Sequence, residues 1–256
     1  MSDYKLVILG TSSGYPQSDR ATSGTLINCA GDLSLIDVGS GVISAFLKLE
    51  NDPQNLNRVF ITHTHPDHIC ELPLLIQLLH LSGKTTPFDL YLPEEFVEPF
   101  QNMMTSMYMF PEKFEFEFNI IGYNDGFLFT DPFSLTAISN DHLLGYEDII
   151  KDGGYKNEMQ SNSFLLNING KKILYSGDVS NSRELQSFMK GCDYIIMDTT
   201  HSSLDELINI TIEDEVGKFI LTHLGDADTV KQMRRRITDE ELKSFVLAHE
   251  RMILFL

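Results

Sequence analysis

Short apolar runs separated by polar turns recur along the chain, and two different periods are visible in them. Stretches such as Leu6-Val7-Ile8-Leu9, Arg58-Val59-Phe60-Ile61-Thr62, Lys172-Ile173-Leu174-Tyr175 and Phe219-Ile220-Leu221 are too short for helices and rich in β-branched and aromatic residues. That is the pattern of short strands. Strands are predicted near 4–10, 24–29, 33–37, 58–62, 88–92, 133–138, 163–168, 172–176, 194–197 and 218–222. Phe114-Glu115-Phe116-Glu117-Phe118 alternates strictly and predicts one more, half-buried strand. Helices are predicted over 72–79, with Pro73 in the first turn where its missing N–H costs little, and over 94–107 and 181–190. Two more follow, one over 226–236 opened by Asp226 and Asp228, and one over 238–250 behind the capping box Thr238-Asp239-Glu240-Glu241. Strands interleaved with helices make an α/β chain. No repeat, linker or low-complexity tract divides the 256 residues, which suffice for one large core, so residues 1–256 are read as a single domain.

Charge narrows the partners. With 37 acidic against 19 basic residues the formal net charge is -18, and such a surface repels a polyanion unless a local patch overrides it. The one basic cluster, Lys231-Gln232-Met233-Arg234-Arg235-Arg236, falls at the end of a predicted helix, where cations complement the macrodipole. RNA therefore stays open as a substrate but is disfavoured. Cys29, Cys70 and Cys192 are odd in number and widely spaced, which predicts a reduced, cytoplasmic protein, with Cys70 a buried apolar thiol. Met1-Ser2-Asp3-Tyr4-Lys5 leads straight into the first strand without the features of a signal peptide, and no apolar run is long enough to cross a bilayer, so no membrane role is expected. Met103, Met104, Met107 and Met109 are read as core or pocket wall.

The candidate chemistry lies directly behind the strand 58–62. His63-Thr64-His65-Pro66-Asp67-His68 puts three imidazoles and a carboxylate into six residues of a chain with eight histidines in all. These ligands suit zinc, manganese or iron, and the lack of nearby thiols argues against a closed structural zinc knot. In an extended segment His63 and His65 would project to one side and grip one ion, while Asp67 and His68, past the turn at Pro66, would face a second.

His-x-His-x-Asp-His resembles the signature of the metallo-β-lactamase superfamily. Further motifs of that superfamily follow in order: Asp37 in Leu35-Ile36-Asp37-Val38-Gly39, His142 in Ser139-Asn140-Asp141-His142, Asp178 in Tyr175-Ser176-Gly177-Asp178 and His223 in Ile220-Leu221-Thr222-His223. The resemblance implies an αββα sandwich and two divalent ions, most simply zinc. One ion would be held by His63, His65 and His142, the other by Asp67, His68 and His223, with Asp178 shared. Asp37 and Asp198 would fix the ligand imidazoles from behind. Within the superfamily, Leu9-Gly10-Thr11-Ser12-Ser13-Gly14-Tyr15-Pro16 and Asp67-His68-Ile69-Cys70-Glu71-Leu72-Pro73-Leu74-Leu75 resemble ribonuclease Z and its phosphodiesterase relatives, with Glu71 standing where that group has Gly. The Gly10–Gly14 loop and His68 are the places where substrate would dock.

Three departures count against tRNA processing. Pro16-Gln17-Ser18-Asp19-Arg20-Ala21 keeps the group's Arg and loses its Asn; Met197-Asp198-Thr199-Thr200 lacks the His of His-Glu-Ala-Thr; and the stretch from His142 to Asp178 is too short for a tRNA-gripping arm. His201 is the candidate substitute acid. The expectation is a hydrolase of small or cyclic phosphodiesters. A hydrolase of thioesters, lactones or other carboxylic esters, and a non-enzymatic metal-binding module, stand as alternatives, and a homodimer is left open.

Overall fold

The computed structural model describes residues 3–213, 216–237 and 243–256. Its strands are β1 (Tyr4–Gly10), β2 (Gly24–Cys29), β3 (Asp32–Ile36), β4 (Leu56–Phe60), β5 (Phe88–Pro93), β6 (Phe118–Tyr123), β7 (Leu128–Phe129), β8 (Ser134–Ser139), β9 (Asn162–Ile168), β10 (Lys171–Tyr175), β11 (Tyr194–Asp198), β12 (Lys218–Thr222), β13 (Phe245–Leu247) and β14 (Ile253–Phe255). The α-helices are α1 (Val42–Leu47), α2 (Pro66–Ile69), α3 (Leu72–Leu81), α4 (Val97–Ser106), α5 (Glu147–Gly153), α6 (Gln186–Met189), α7 (Leu204–Glu213) and α8 (Ala227–Ile237).

Two seven-stranded sheets form, in the orders β14-β1-β2-β3-β4-β5-β6 and β7-β8-β9-β10-β11-β12-β13. Each begins with three antiparallel pairings and ends with three parallel ones. Because the sheets stack and helices cover their outer faces, successive residues of a strand enter different cores. In β1, Leu6 and Ile8 join the layer between the sheets, while Val7 and Leu9 pack under α1 and α3. In β12, Ile220 faces the central layer and Phe219 and Leu221 face α7. Both faces are dry, which is why these strands read as unbroken apolar runs. The αββα sandwich is therefore the observed architecture.

Three local expectations are corrected. Residues 114–117 form no strand; β6 starts at Phe118, and the alternation instead buries Phe116 and stacks it on Phe114 with ring centroids 5.0 Å apart. Residues 181–190 are a 3-10 turn followed by the short α6 rather than one helix. The predicted helix over 238–250 is overturned at its C-terminal half, where Phe245–Leu247 is a strand paired in parallel with β12; its capping box lies outside the described residues. Among the described residues no helix is long and apolar enough to cross a membrane.

Candidate metal centre

The parallel strands run their carboxyl ends to one edge of the sandwich, the place where open α/β sheets present ligand sites. Asp37 follows β3, the His63–His68 run follows β4, His142 follows β8, Asp178 follows β10, Asp198 closes β11 and His223 follows β12. Asp37 and His223 have positive φ, 60° and 53°, and Gly177 has φ 57°. Non-glycine residues rarely adopt this conformation, and it is held here where chain reversal has to aim a side chain back across the edge.

Two groups of donors converge there. In the first, His63 Nε2 and His142 Nε2 each lie 3.1 Å from His65 Nδ1, and Asp178 Oδ2 lies 4.0 Å from His63 Nε2 and 3.7 Å from His142 Nε2. β4 has already ended at Phe60, so the strand alternation expected to align His63 and His65 does not operate; an extended loop closing on α2 brings them together. In the second group, Asp67 Oδ2 lies 3.1 Å from His223 Nε2 and 3.5 Å from His68 Nε2, while Asp178 Oδ1 lies 3.2 Å from His68 Nε2 and 3.4 Å from His223 Nε2. Asp178 thus faces both groups, one oxygen to each.

The donor set fits metal ions. A tetrahedral ion with ligand bonds of about 2.0–2.1 Å spaces its ligand atoms about 3.3 Å apart, close to the separations in both groups. Asp178 Oδ1 is buried without a well-formed hydrogen bond although two ring nitrogens point at it, the arrangement of lone pairs aimed at a common point. Burial, reinforced by the neighbouring imidazoles, pushes His63 well below its usual range, and burial outweighs Asp178 to bring His142 to about 4. These rings are therefore neutral, the form that ligates. Burial also opposes charge on His223 and His68. There the carboxylates win: Asp178 and bonds to Asp198 and Asp67 raise His223 to about 10, and Asp178 with Asp37 raises His68. The second group demands positive charge, which a cation can supply in place of those protons.

Carboxylates behind the ligand atoms set the ring orientations. Asp37, fully buried, accepts from His68 Nδ1 at 2.9 Å, from the Thr62 amide at 2.9 Å and from the Tyr175 hydroxyl at 3.3 Å. Asp198 takes His223 Nδ1 at 3.2 Å on one oxygen and His201 Nδ1 at 2.7 Å on the other. Both bonds leave Nε2 turned towards the cleft, as ligation by His223 requires. The Asp198 bond also raises the pKa of His201 against the effect of burial. Met197, the position without the expected histidine, is buried in the core under α7.

The surrounding turns are tied tightly to this edge. A Cβ on Gly39 would stand 1.9 Å from the Asp67 carbonyl, so only glycine admits the α2 turn against the Asp37 loop. Glu71, in place of the group's Gly, ties two segments together. Its carboxylate accepts from the Gly41 and Ile43 amides at 2.7 and 2.8 Å, and its own amide donates to Val38 O at 3.0 Å. The turn carrying Asp67 and His68 is thereby fastened to the start of α1. Glu71→Ala is expected to lower stability by about 2 kcal/mol, since bonds to charged groups contribute about 1.5–3 kcal/mol each and backbone amides find water in part. A urea midpoint unchanged from wild type would remove that role.

Arg20 donates to Gly225 O at 2.7 Å and anchors the N-terminal loop beside His223. Ser13, Gly14 and Tyr15 of that loop line the cleft with Asp178, His201 and His223. Cys70 is exposed, correcting the expected buried thiol. Glu95, Tyr146 and Ile149 also border the site and were missed, because nothing local in the sequence joins them to the histidine motif.

A family model described as anti-Pycsar protein Apyc1 matches residues 4–251. The chain belongs to that family. It is also similar to ribonuclease Z of Pyrococcus abyssi, with 25% identity over 285 residues covering 91% of this chain and 90% of the relative. Among solved structures, the metallo-β-lactamase fold protein YhfI from Bacillus subtilis superposes with a TM-score of 0.77 at 20% identity, covering 98% of each chain. The short form of human tRNase Z superposes with a TM-score of 0.72 at 20% identity, again covering 98% of each. The fold is the metallo-β-lactamase fold, and in sequence the chain is similar to ribonuclease Z.

Proposed function

We propose that the chain is a dinuclear metal-dependent phosphodiesterase acting on small or cyclic phosphodiesters. The observation that carries this reading is the pair of four-atom donor groups sharing Asp178. His63, His65, His142 and Asp178 would hold one ion, and Asp67, His68, His223 and Asp178 the other. Imidazole and carboxylate without thiolate favour zinc, with manganese or iron as alternatives. Two such ions would supply Lewis acidity, which lowers the pKa of water towards about 7 and offsets charge that builds on phosphoryl oxygens.

The chain's own groups complete the site. Asp37 and Asp198 hold His68 and His223 in the ligating tautomer. His201, kept protonated by Asp198, presents Nε2 to the cleft and gives its proton to the departing alkoxide. The cleft holds about 570 Å³, the size of a small-molecule site, and the net charge of -18 disfavours a long polyanion. The ribonuclease Z relatives support phosphodiester chemistry at such a centre.

The test is a panel of small and cyclic phosphodiesters, precursor tRNA, thioesters, lactones and β-lactams, assayed on chelator-stripped and zinc-reloaded protein. Turnover of the small phosphodiesters, lost on stripping and restored by zinc, is expected, with precursor tRNA cut poorly. Efficient, salt-sensitive cleavage of precursor tRNA would overturn the small-substrate reading. Preference for a carboxylic substrate would make the protein an ester hydrolase, and no turnover with metal bound would make it a binding module.

A further inference from the structure

His142 and Asp178, both in the first donor group, arrive on strands that do not touch. β9 lies between β8 and β10 in the sheet, and with strands about 4.8 Å apart their ends stand about 10 Å from each other. No ladder sets one ligand turn against the other, yet His142 Nε2 and Asp178 Oδ2 meet at 3.7 Å. Side chains span the gap.

Two bridges do so. The first, near solvent, is Glu184, half-buried in the 3-10 turn Ser182–Leu185. Its Oε1 accepts from the Ser180 amide at 2.7 Å, two residues past Asp178, and from the Asn181 amide at 3.4 Å. Its Oε2 accepts from the Asp141 amide at 2.9 Å, one residue before His142. The capping box that Glu184 forms with Asn181 accounts for the first oxygen only; the second reaches 43 positions back to the other ligand turn. The other bridge is buried and runs through β9. Asn140 Oδ1 accepts from the His142 amide at 3.2 Å, Asn140 Nδ2 donates to Ser163 Oγ at 3.0 Å, and Ser163 Oγ donates to Ser176 O at 2.6 Å, two residues before Asp178. Ser163 belongs to the intervening strand, so β9 relays the connection between its neighbours.

We propose that Glu184 is a positioning residue for the first ion, acting with the Asn140–Ser163 relay to hold the His142 turn against the Asp178 turn at the spacing a small tetrahedral ion requires. The proposal rests on the reading of the two donor groups as a dinuclear centre. A carboxylate suits the position because amides of two separate turns are accepted at once, one turn on each oxygen. A carboxamide offers one acceptor oxygen and would turn its NH2 towards the other amide. Bonds to a charged acceptor are the stronger kind, and here the donors are backbone groups, so the tie fixes the turns themselves. Displacement of His142 relative to Asp178 falls on the first ion. That group has Asp178 as its one carboxylate, whereas the second keeps Asp67 against His68 and His223.

The test is calorimetric zinc titration of chelator-stripped protein, in the wild type and in Glu184→Gln, which preserves volume and breaks one tie. To read each ion separately, the same substitution is placed in Asp67→Ala, which keeps the first ion, and in His142→Ala, which keeps the second. Glu184→Gln is expected to weaken the first ion about tenfold or more, as is typical of groups that orient ligands, and to leave the second within about twofold. Ser163→Ala should weaken the same ion through the buried relay. Asn181→Ala, which removes the acceptor of the Arg183 amide but leaves Glu184 on Asp141, should move neither ion. Where Glu184→Gln does not fold, Glu184→Asp, one methylene too short to reach both turns, takes its place with the same expectation. An unmoved first ion in the folded Glu184 variant overturns the proposal. Equal weakening of both ions, or the same weakening in Asn181→Ala, also overturns it, since Glu184 would then be a general support of its turn. A wild type that holds one zinc ion, weakened by Glu184→Gln, would keep the positioning role and reject the dinuclear centre; two ions, neither of them moved, would do the reverse, and no bound zinc would reject both.

Discussion

Asp178→Ala is expected to release both divalent ions at once, whereas Asp67→Ala releases one. The difference follows from reach. Asp178, only 3% exposed, turns Oδ2 to the His63, His65 and His142 group and Oδ1 to the His68 and His223 group. Among the described residues, Asp67 belongs to the His68 and His223 group and not to the other. Two dications sharing a small site repel each other, and the carboxylate between them carries the compensating charge, so its removal destabilises each ion and their coexistence together. The first group would then be three neutral imidazoles, and the second would keep one carboxylate. Losing the electrostatic stabilisation of several kcal/mol that metals give a phosphoryl transition state lowers kcat/KM by about a thousandfold or more. Metal analysis of the purified variant decides the matter, independently of activity: two ions per chain retained in Asp178→Ala would take Asp178 out of the shared position.

The centre was legible in the sequence to the extent that its parts are local. Four of the seven candidate ligands fall within six residues, and each of the others stands just beyond a predicted strand, so the strand ends pointed to a common edge. The carboxylates behind the ligands, Asp37 and Asp198, were legible only through the family resemblance and not through spacing. Asp37 is 31 positions from His68 and Asp198 is 25 from His223, and only folding brings those pairs within 2.9 and 3.2 Å. The tie from Glu184 to the Asp141 amide spans 43 positions and no motif marks it, since its partners meet only when β8, β9 and β10 pair. Local signals also failed in both directions. Ser203 accepts from the Glu206 amide at 3.1 Å and opens α7, whose Leu204, Leu207 and Ile210 are buried at helical spacing; that pattern is present in the sequence yet absent from the predicted helices. The capping box at 238–241 instead suggested a helix running through Phe245–Leu247, where parallel pairing with Phe219–Leu221 overrides local preference.

His201 separates chemistry from metal binding. The residue is 34% exposed at its side chain, borders the cleft, and gives Nδ1 to Asp198 at 2.7 Å, so the proton on Nε2 is directed outwards. The same Asp198 orients His223, yet His201 itself belongs to neither group that includes Asp178. If its role is to protonate the departing oxygen, need for it depends on the leaving group. An alkoxide is too basic to depart unaided, and a positioned acid accelerates such a step by about a hundredfold or more; a nitrophenolate departs without help. His201→Ala is therefore expected to slow methyl and other alkyl phosphodiesters by about a hundredfold while changing bis(nitrophenyl) phosphate by less than about threefold, with two ions per chain retained. Asp198→Asn should act on both fronts, because it removes the acceptor that holds His201 and the one that holds His223, and lost orientation of a ligand typically costs about ten- to a hundredfold in metal affinity or activity. A uniform loss on both substrates in His201→Ala, accompanied by loss of metal, would make His201 part of the ion-holding set. Unchanged rates on both would mean that another group, or water, carries the proton, and that the bond to Asp198 serves only to steady the turn after β11.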